Sequence, residues 1–489
     1  MSDISRESTG IEGLDRVLGG GLLERQNALV RGPPGAGKTV FGLHFLAAAG
    51  DGEESLYINF GEPTEYVKRT ADHFDLNSDS LHFLELAPTA EQFTEEEMYT
   101  LFSSADVEQP SLINEVRDTV EELQPDRVLI DPITEFRFLT ADEHQFRSQI
   151  MGLIDFLRGK GATVLMTSQV ASDLSDTDLR FLTDVIIDLD RTPDAWSIDV
   201  TKFRGPSVKR GPHGYEVTDD GVEVWPRLVP TQEPVDFEPG TVSSGVPELD
   251  QLLSGGLQRG TVTFFSGPTG AGKTTTSLQF VKEAASRGNQ SLILSFEESK
   301  RTMLQRSEAL NIGLSHMLDE GTVEIVEARP DEYTIDQVTN MIETAVTEDD
   351  VGVVLLDGFQ GFKQNLRGFG DEDPVDYLSS IGRYLREMGV TTMVTNEVHQ
   401  ITGEFRVTEE AMSNVADNIV FLRHLEYQGS IDKVIGVLKM RTSDFEDTLR
   451  RLDFTEYGIS VGEPLTELSG ILTGTPTFDT SKQPRTDGS

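Results

Sequence analysis

The chain has 489 residues, with 41 Lys and Arg against 84 Asp and Glu, a net charge of −43 and no cysteine. That balance repels nucleic acid and anionic lipid, and the lack of thiols excludes disulfides, thiolate metal sites and cysteine catalysis. With 37% hydrophobic residues it can bury real cores, and its length fits roughly three domains or two large ones at about 150 residues each. The acidic surface, with arginine preferred over lysine, suits a protein adapted to high intracellular salt.

The N-terminal stretch Met-Ser-Asp-Ile-Ser-Arg-Glu has no apolar signal core. No run approaches the roughly 18 apolar residues of a membrane span, so a soluble, cytoplasmic protein is expected. A short apolar run at 27–30 leads into Gly32-Pro33-Pro34-Gly35-Ala36-Gly37-Lys38-Thr39, which fits the phosphate-loop pattern G-x-x-x-x-G-K-[ST]. Helical periodicity covers 40–49, ending near Gly50, and strands are predicted at 56–60, 127–130, 163–166 and 185–189. The stretch 229–240, rich in proline and acidic residues, reads as a linker. The pattern then repeats. Ser8 to Asp15 parallels Ser243 to Asp250, and Gly267-Pro268-Thr269-Gly270-Ala271-Gly272-Lys273-Thr274 repeats the loop at the same offset. Strands follow at 261–265, 292–296, 351–356, 391–394 and 418–422. A repeat this long is a duplicated domain. The expected division is a first domain at 1–230, a linker at 231–240, a second domain at 241–473 and a disordered tail at 474–489. Short apolar strands alternating with helices predict an α/β fold in each copy, a mostly parallel sheet with helices on both faces.

The chemistry lies at the strand ends. In each loop, glycines let successive N–H groups turn around a polyphosphate, Lys38 or Lys273 reaches the β- and γ-phosphates, and Thr39 or Thr274 completes the Mg²⁺ shell. ATP and Mg²⁺ are therefore the expected cofactors. Asp131 and Asp357 close apolar strands and would order the metal. The second strand separates the copies. It ends Phe296-Glu297-Glu298 in the second and Phe60-Gly61-Glu62 in the first. A carboxylate beside the γ-phosphate can orient the attacking water and accept its proton. Glu297 and Glu298 fill that role, while only Glu62 remains in the first copy. Lys202-Phe203-Arg204 and Lys439-Met440-Arg441 recur late in each domain, and each presents two cations on one side of a strand. Such pairs could serve a γ-phosphate, often one bound to a neighbouring subunit. His44, Trp196 and Trp225 are expected to pack.

Tandem phosphate loops, the Phe-Glu-Glu strand end, the paired aspartates and the Lys-x-Arg pairs together resemble KaiC, the double-domain ATPase family of the RecA/DnaB superfamily known from the cyanobacterial clock. The resemblance runs from about Thr9 to Pro476 and, with the acidity, points to a KaiC-like protein of a halophilic archaeon. It implies two tandem RecA-like P-loop NTPase domains and a homo-hexamer with ATP between subunits, so that Lys202, Arg204, Lys439 and Arg441 would act on a neighbour's nucleotide. The family's second domain phosphorylates itself on a Ser-Thr pair. Ser413 matches the serine, Asn414 stands for the threonine, and Thr408 matches a nearby family threonine. Leu310 replaces the aromatic that stacks on adenine. The family's long tail, which receives a clock partner, has no counterpart beyond Gly474-Thr475-Pro476, so that partner is not expected and any signalling protein partner is unidentified. Three readings follow: an ATPase with serine autokinase activity used in signalling or timing, a DNA motor or recombinase accessory, and a nucleotide-gated scaffold. The charge opposes the second. The first and third combine if the first copy assembles and the second catalyses.

Overall fold

The computed structural model describes residues 5–86, 105–139, 143–169, 177–192, 195–228, 235–330, 332–365, 374–398, 412–427, 430–466, 468–469 and 477–478. Two compact units divide the chain, Met1–Arg227 and Leu228–Ser489, and each holds a nine-stranded sheet.

The strands of the first unit are β1 (Asn27–Gly32), β2 (Ser55–Asn59), β3 (Leu81–Glu85), β4 (Arg127–Asp131), β5 (Thr163–Gln169), β6 (Val185–Arg191), β7 (Trp196–Phe203), β8 (His213–Thr218) and β9 (Gly221–Trp225). Their order in the sheet is β3-β2-β4-β5-β1-β6-β7-β8-β9. The first six run parallel and the last three are antiparallel. In the second unit, β10 (Val262–Gly267), β11 (Gln290–Ser295), β12 (Val323–Glu327), β13 (Val351–Asp357), β14 (Thr391–Glu397), β15 (Asn418–Tyr427), β16 (Ser430–Met440), β17 (Arg450–Thr455) and β18 (Gly458–Pro464) take the same order, β12-β11-β13-β14-β10-β15-β16-β17-β18. The duplication read from the sequence is thus a duplication of topology.

Burial explains why these segments became parallel strands. Every residue of β2 and of β4 is buried, as expected for a sheet covered on both faces. Side chains alternate between two cores. Tyr57, Leu129 and Leu165 pack on one face with Phe41 and Phe45. Leu56, Ile58, Val128 and Ile130 pack on the other with Phe146 and Ile150. Burying one such aliphatic side chain contributes about 1.5–3 kcal/mol.

The predicted strands form, with ends shifted by a residue or more. The helix whose periodicity covers 40–49 spans Lys38–Ala47, beginning at the phosphate-loop lysine where Gly37 in the left-handed region turns the chain into it. The antiparallel hairpins β8–β9 and β17–β18 were not anticipated. They pack beneath the phosphate loops: the Tyr215 hydroxyl donates to the Ala36 carbonyl at 3.1 Å, and His44 Nε2 accepts the Val222 N–H at 3.0 Å. His44 therefore packs, and its burial holds its pKa below the usual histidine value. Trp196 and Trp225 are half-buried. In the predicted linker, residues 235–240 have no regular structure and Phe237 lies against Gly260 and Gly389, while 229–234 fall outside the described residues. Of the predicted tail, Thr477–Phe478 pairs with Leu468–Ser469 and the rest falls outside the described residues. Among the described residues no helix is long and apolar enough to cross a membrane.

His213, fully buried on β8, accepts the Arg227 N–H at Nδ1 (3.0 Å), and burial lowers its pKa to about 4. The folded value lies below the unfolded one of about 6.5, so between these values the unfolded chain binds more protons. Stability from this group is complete above pH 6.5 and is lost as pH falls towards 4. Denaturant unfolding at pH 7 and pH 5 should show about 2 kcal/mol of pH-dependent stability in the wild type that is missing from His213→Asn.

Candidate nucleotide-binding site

The loop strands β1 and β10 each lie between two parallel neighbours, and the loops leave from their carboxyl ends, the edge where open α/β sheets bind ligands. Gly35 and Gly37 have φ of 77° and 81°, and Gly270 and Gly272 have 77° and 102°. These left-handed turns make a concave nest of N–H groups at the start of helices Lys38–Ala47 and Lys273–Ser286. At Gly272 a Cβ would also lie 2.1 Å from the Phe454 ring, so only glycine fits.

Lys38 Nζ donates to the carbonyls of Gly32 and Pro33 at 3.0 and 2.9 Å, and Lys273 Nζ to those of Gly267 and Pro268 at 2.9 and 3.0 Å. Burial pushes both ammonium groups below the ordinary lysine pKa. A cation buried at Lys38 and half-buried at Lys273, folded onto its own loop beside an N–H nest, fits a polyphosphate.

The metal candidates also meet. The Thr39 hydroxyl donates to Asp131 Oδ2 and the Thr274 hydroxyl to Asp357 Oδ1, each at 2.7 Å. A hydroxyl beside a carboxylate is the hard-oxygen donor set that Mg²⁺ takes. Burial raises the Asp357 carboxyl above its usual pKa, a penalty that a cation would offset. Among the described residues no group of three or more His, Cys, Asp or Glu could hold an ion. The phosphates would have to complete the shell.

The strand ends differ in packing between the copies. Glu297 Oε1 accepts the Gly361 N–H at 3.2 Å, and its side chain lies over Gly358, where a Cβ would sit 2.8 Å from Glu297 Cγ. Burial, then the charges of Asp357 and Glu397, raise its pKa, which suits a proton acceptor. Glu298 pairs with Arg306 at 2.7 Å. In the first unit Pro132 follows Asp131 where Gly358 follows Asp357, and a Cβ on Gly61 would lie 3.2 Å from Pro132 Cδ. The second unit sets glutamate against glycine where the first sets glycine against proline. Asn59 holds that turn, its Oδ1 accepting the N–H groups of Gly61 and Glu62 at 3.1 and 3.2 Å, and Glu62 is exposed.

The Lys-x-Arg pairs do not join the loop of their own unit. Phe203 pairs across the sheet with Val185, which pairs with Ala28, near the start of β1. The loop begins four residues further on, about 13 Å at 3.3 Å per residue. Lys202 Nζ donates to the Arg180 carbonyl at 2.6 Å and Arg204 pairs with Asp184 at 3.0 Å. Lys439 donates to the Ala416 carbonyl at 2.6 Å and Arg441 pairs with Asp417 at 3.1 Å. Phe203 and Met440 turn into their cores. Ser413 lies on the short helix Met412–Val415, and its side chain and Thr408 fall outside the described residues. Leu310 ends helix Lys300–Ala309 and packs on the core.

Several residues went unread. Thr167 donates to Asp131 Oδ1, and Thr395 donates to Asp357 Oδ1 at 2.8 Å. Their matching places at the ends of β5 and β14 were a signal in the repeat. The Tyr57 hydroxyl donates to Asp131 Oδ2 at 2.7 Å, and Thr269 donates to Glu397 at 2.5 Å. Burial and the Asp131 charge keep the Tyr57 phenol protonated.

A doubled phosphate-loop sheet of this order defines tandem RecA-like nucleotide-binding domains. The family model "ATPase: KaiC" matches residues 7–229 and 242–466. The chain is 25% identical to the circadian clock oscillator protein KaiC of Prochlorococcus marinus, covering 97% of this chain and 95% of that one. It is 24% identical to the KaiC of Synechococcus elongatus (97% and 92%) and 23% identical to the circadian clock protein KaiC3 of Synechocystis (97% and 95%). The chain belongs to the KaiC family of ATPases.

Gly272→Ala places a methyl group into the Phe454 ring at a positive φ. It should weaken binding of a fluorescent ATP analogue at the second loop by tenfold or more, measured in a Lys38→Ala background, and cost about 1–3 kcal/mol in thermal unfolding.

Proposed function

We propose that this KaiC-family ATPase assembles as a cytoplasmic homo-hexamer around Mg²⁺–ATP, with its first domain holding nucleotide for assembly and its second hydrolysing it. One observation carries the division of labour: Glu297 lies over Gly358 in the second domain, whereas Gly61 faces Pro132 in the first. Mg²⁺ bound at Thr39 and Asp131, or at Thr274 and Asp357, would neutralise phosphate charge. Lys38 and Lys273 bind the phosphates. Glu297 orients the attacking water and takes its proton, and Glu298, braced by Arg306, supports it. Lys202 and Arg204, and Lys439 and Arg441, lie at the far end of their own sheets, which supports their service to a neighbouring subunit's nucleotide.

Ser413 follows as a site of autophosphorylation by the second domain, and the output is signalling or timing through an unidentified protein partner. The KaiC name of the relatives supports this reading. A net charge of −43 argues against nucleic acid as the substrate.

Glu297→Gln should lower steady-state ATP hydrolysis about 100-fold; a rate equal to wild type would overturn its assignment. Lys38→Ala should abolish an ATP-dependent rise in mass seen by light scattering. Mass spectrometry after incubation with ATP should find phosphate on Ser413, and its absence removes the kinase clause. Gly61→Glu with Pro132→Gly, in a Lys273→Ala background, should gain hydrolysis at the first site that Gly61→Glu alone does not.

A further inference from the structure

Asp131 and Asp357 occupy the same place in the two sheets, yet they are held differently. Asp357 accepts two described hydroxyls, those of Thr274 and Thr395, both on Oδ1. Asp131 accepts three, spread over both oxygens: Thr167 on Oδ1, and Thr39 and Tyr57 on Oδ2. The extra donor comes from β2, where Tyr57 stands in the position of Ile293 on β11. Both side chains are buried, Tyr57 at 1% exposure and Ile293 at 0%. The Tyr57 ring is fixed on its far side by the Phe83 ring, with centroids 5.6 Å apart.

We infer that Tyr57 is a positioning residue that sets the metal dependence of the first nucleotide site, by occupying a lone pair on Asp131 that Mg²⁺ or its water would otherwise use. A carboxylate offers about four lone-pair directions. Among the described residues, three are filled at Asp131 and two at Asp357. Thr39 can exchange its bond to Asp131 for the metal, because its hydroxyl is itself a candidate ligand. Tyr57 has no such exchange, since its ring is packed in the core and its hydroxyl points at Asp131. The first site therefore holds nucleotide chiefly through its N–H nest and Lys38, and binds Mg²⁺ more weakly than the second. This rests on the reading of the first domain as a nucleotide-holding site, and gives its idleness a second cause beyond the missing glutamate.

The test uses the full chain carrying Lys273→Ala, so that only the first loop binds. Fluorescence of N-methylanthraniloyl-ATP is titrated with Mg²⁺, with and without Tyr57→Phe. Removing the hydroxyl should lower the Mg²⁺ concentration at half-saturation about tenfold, as expected for one hydrogen bond to a charged group. An unchanged or higher half-saturation overturns the inference, as does a lower unfolding temperature with no change in Mg²⁺ dependence. Should Tyr57→Phe fail to fold, Tyr57→Ile, the second domain's residue, carries the same expectation. No fluorescence change on adding N-methylanthraniloyl-ATP, with or without Mg²⁺ and with Tyr57 intact, would remove the nucleotide site itself, and this inference with it. Binding with an unaltered Mg²⁺ requirement would overturn only the role of Tyr57.

Discussion

The hydrogen bond from the phosphate-loop threonine to the strand-end aspartate is the contact on which the rest of each domain depends. It joins the loop after β1 to the end of β4 across the intervening β5, and the loop after β10 to the end of β13 across β14. A buried carboxylate is tolerable only when it is hydrogen-bonded. The sheet meets that demand with hydroxyls from the helix start and from the middle strand. The same requirement places a hydroxyl and a carboxylate beside the phosphate nest, where a divalent cation can enter.

From that shared frame the two copies diverge in sequence while keeping the same strand order. The sheet cannot change its backbone much without breaking cores on both faces, and the differences that bear on the site fall at strand ends and at residues directed onto the aspartate. Pro132 against Gly358 changes the space beside the strand end: a Cβ on Gly61 would lie 3.2 Å from Pro132 Cδ, whereas Glu297 lies over Gly358. Tyr57 against Ile293 decides how many donors the aspartate carries. Neither change alters strand order or burial. A duplicated fold can thus keep two similar cradles and surround them with different side chains that exchange volume or one hydroxyl.

The antiparallel hairpins show how the cradles are kept in shape. Tyr215 and Val217 on β8, and Phe454 on β17, press on the loops from below. Gly37 and Gly272 are therefore constrained twice, by their positive φ and by the side chains against them. The Lys-x-Arg pairs use the same antiparallel extension for the opposite purpose. Strand β7 or β16 carries them away from the local loop, and Asp184 or Asp417 holds the arginine at the sheet's other end.

The sequence by itself determined the class of fold, the duplication, both loops, the strand-end aspartates and the unequal Gly61 and Glu297, because each rests on local patterns: an apolar run, a glycine spacing, an acid where the run stops. Thr167 and Thr395 were within its reach through the repeat. What only the tertiary structure decided depends on neighbours distant in the chain. Tyr57 reads as one more apolar strand residue until its hydroxyl is seen on Asp131, 74 positions away. Pro132 becomes informative only when Gly61 lies against it, and the Lys-x-Arg pairs only when strand register puts them far from their own loop. Local patterns set where strands end. Packing set what each end faces.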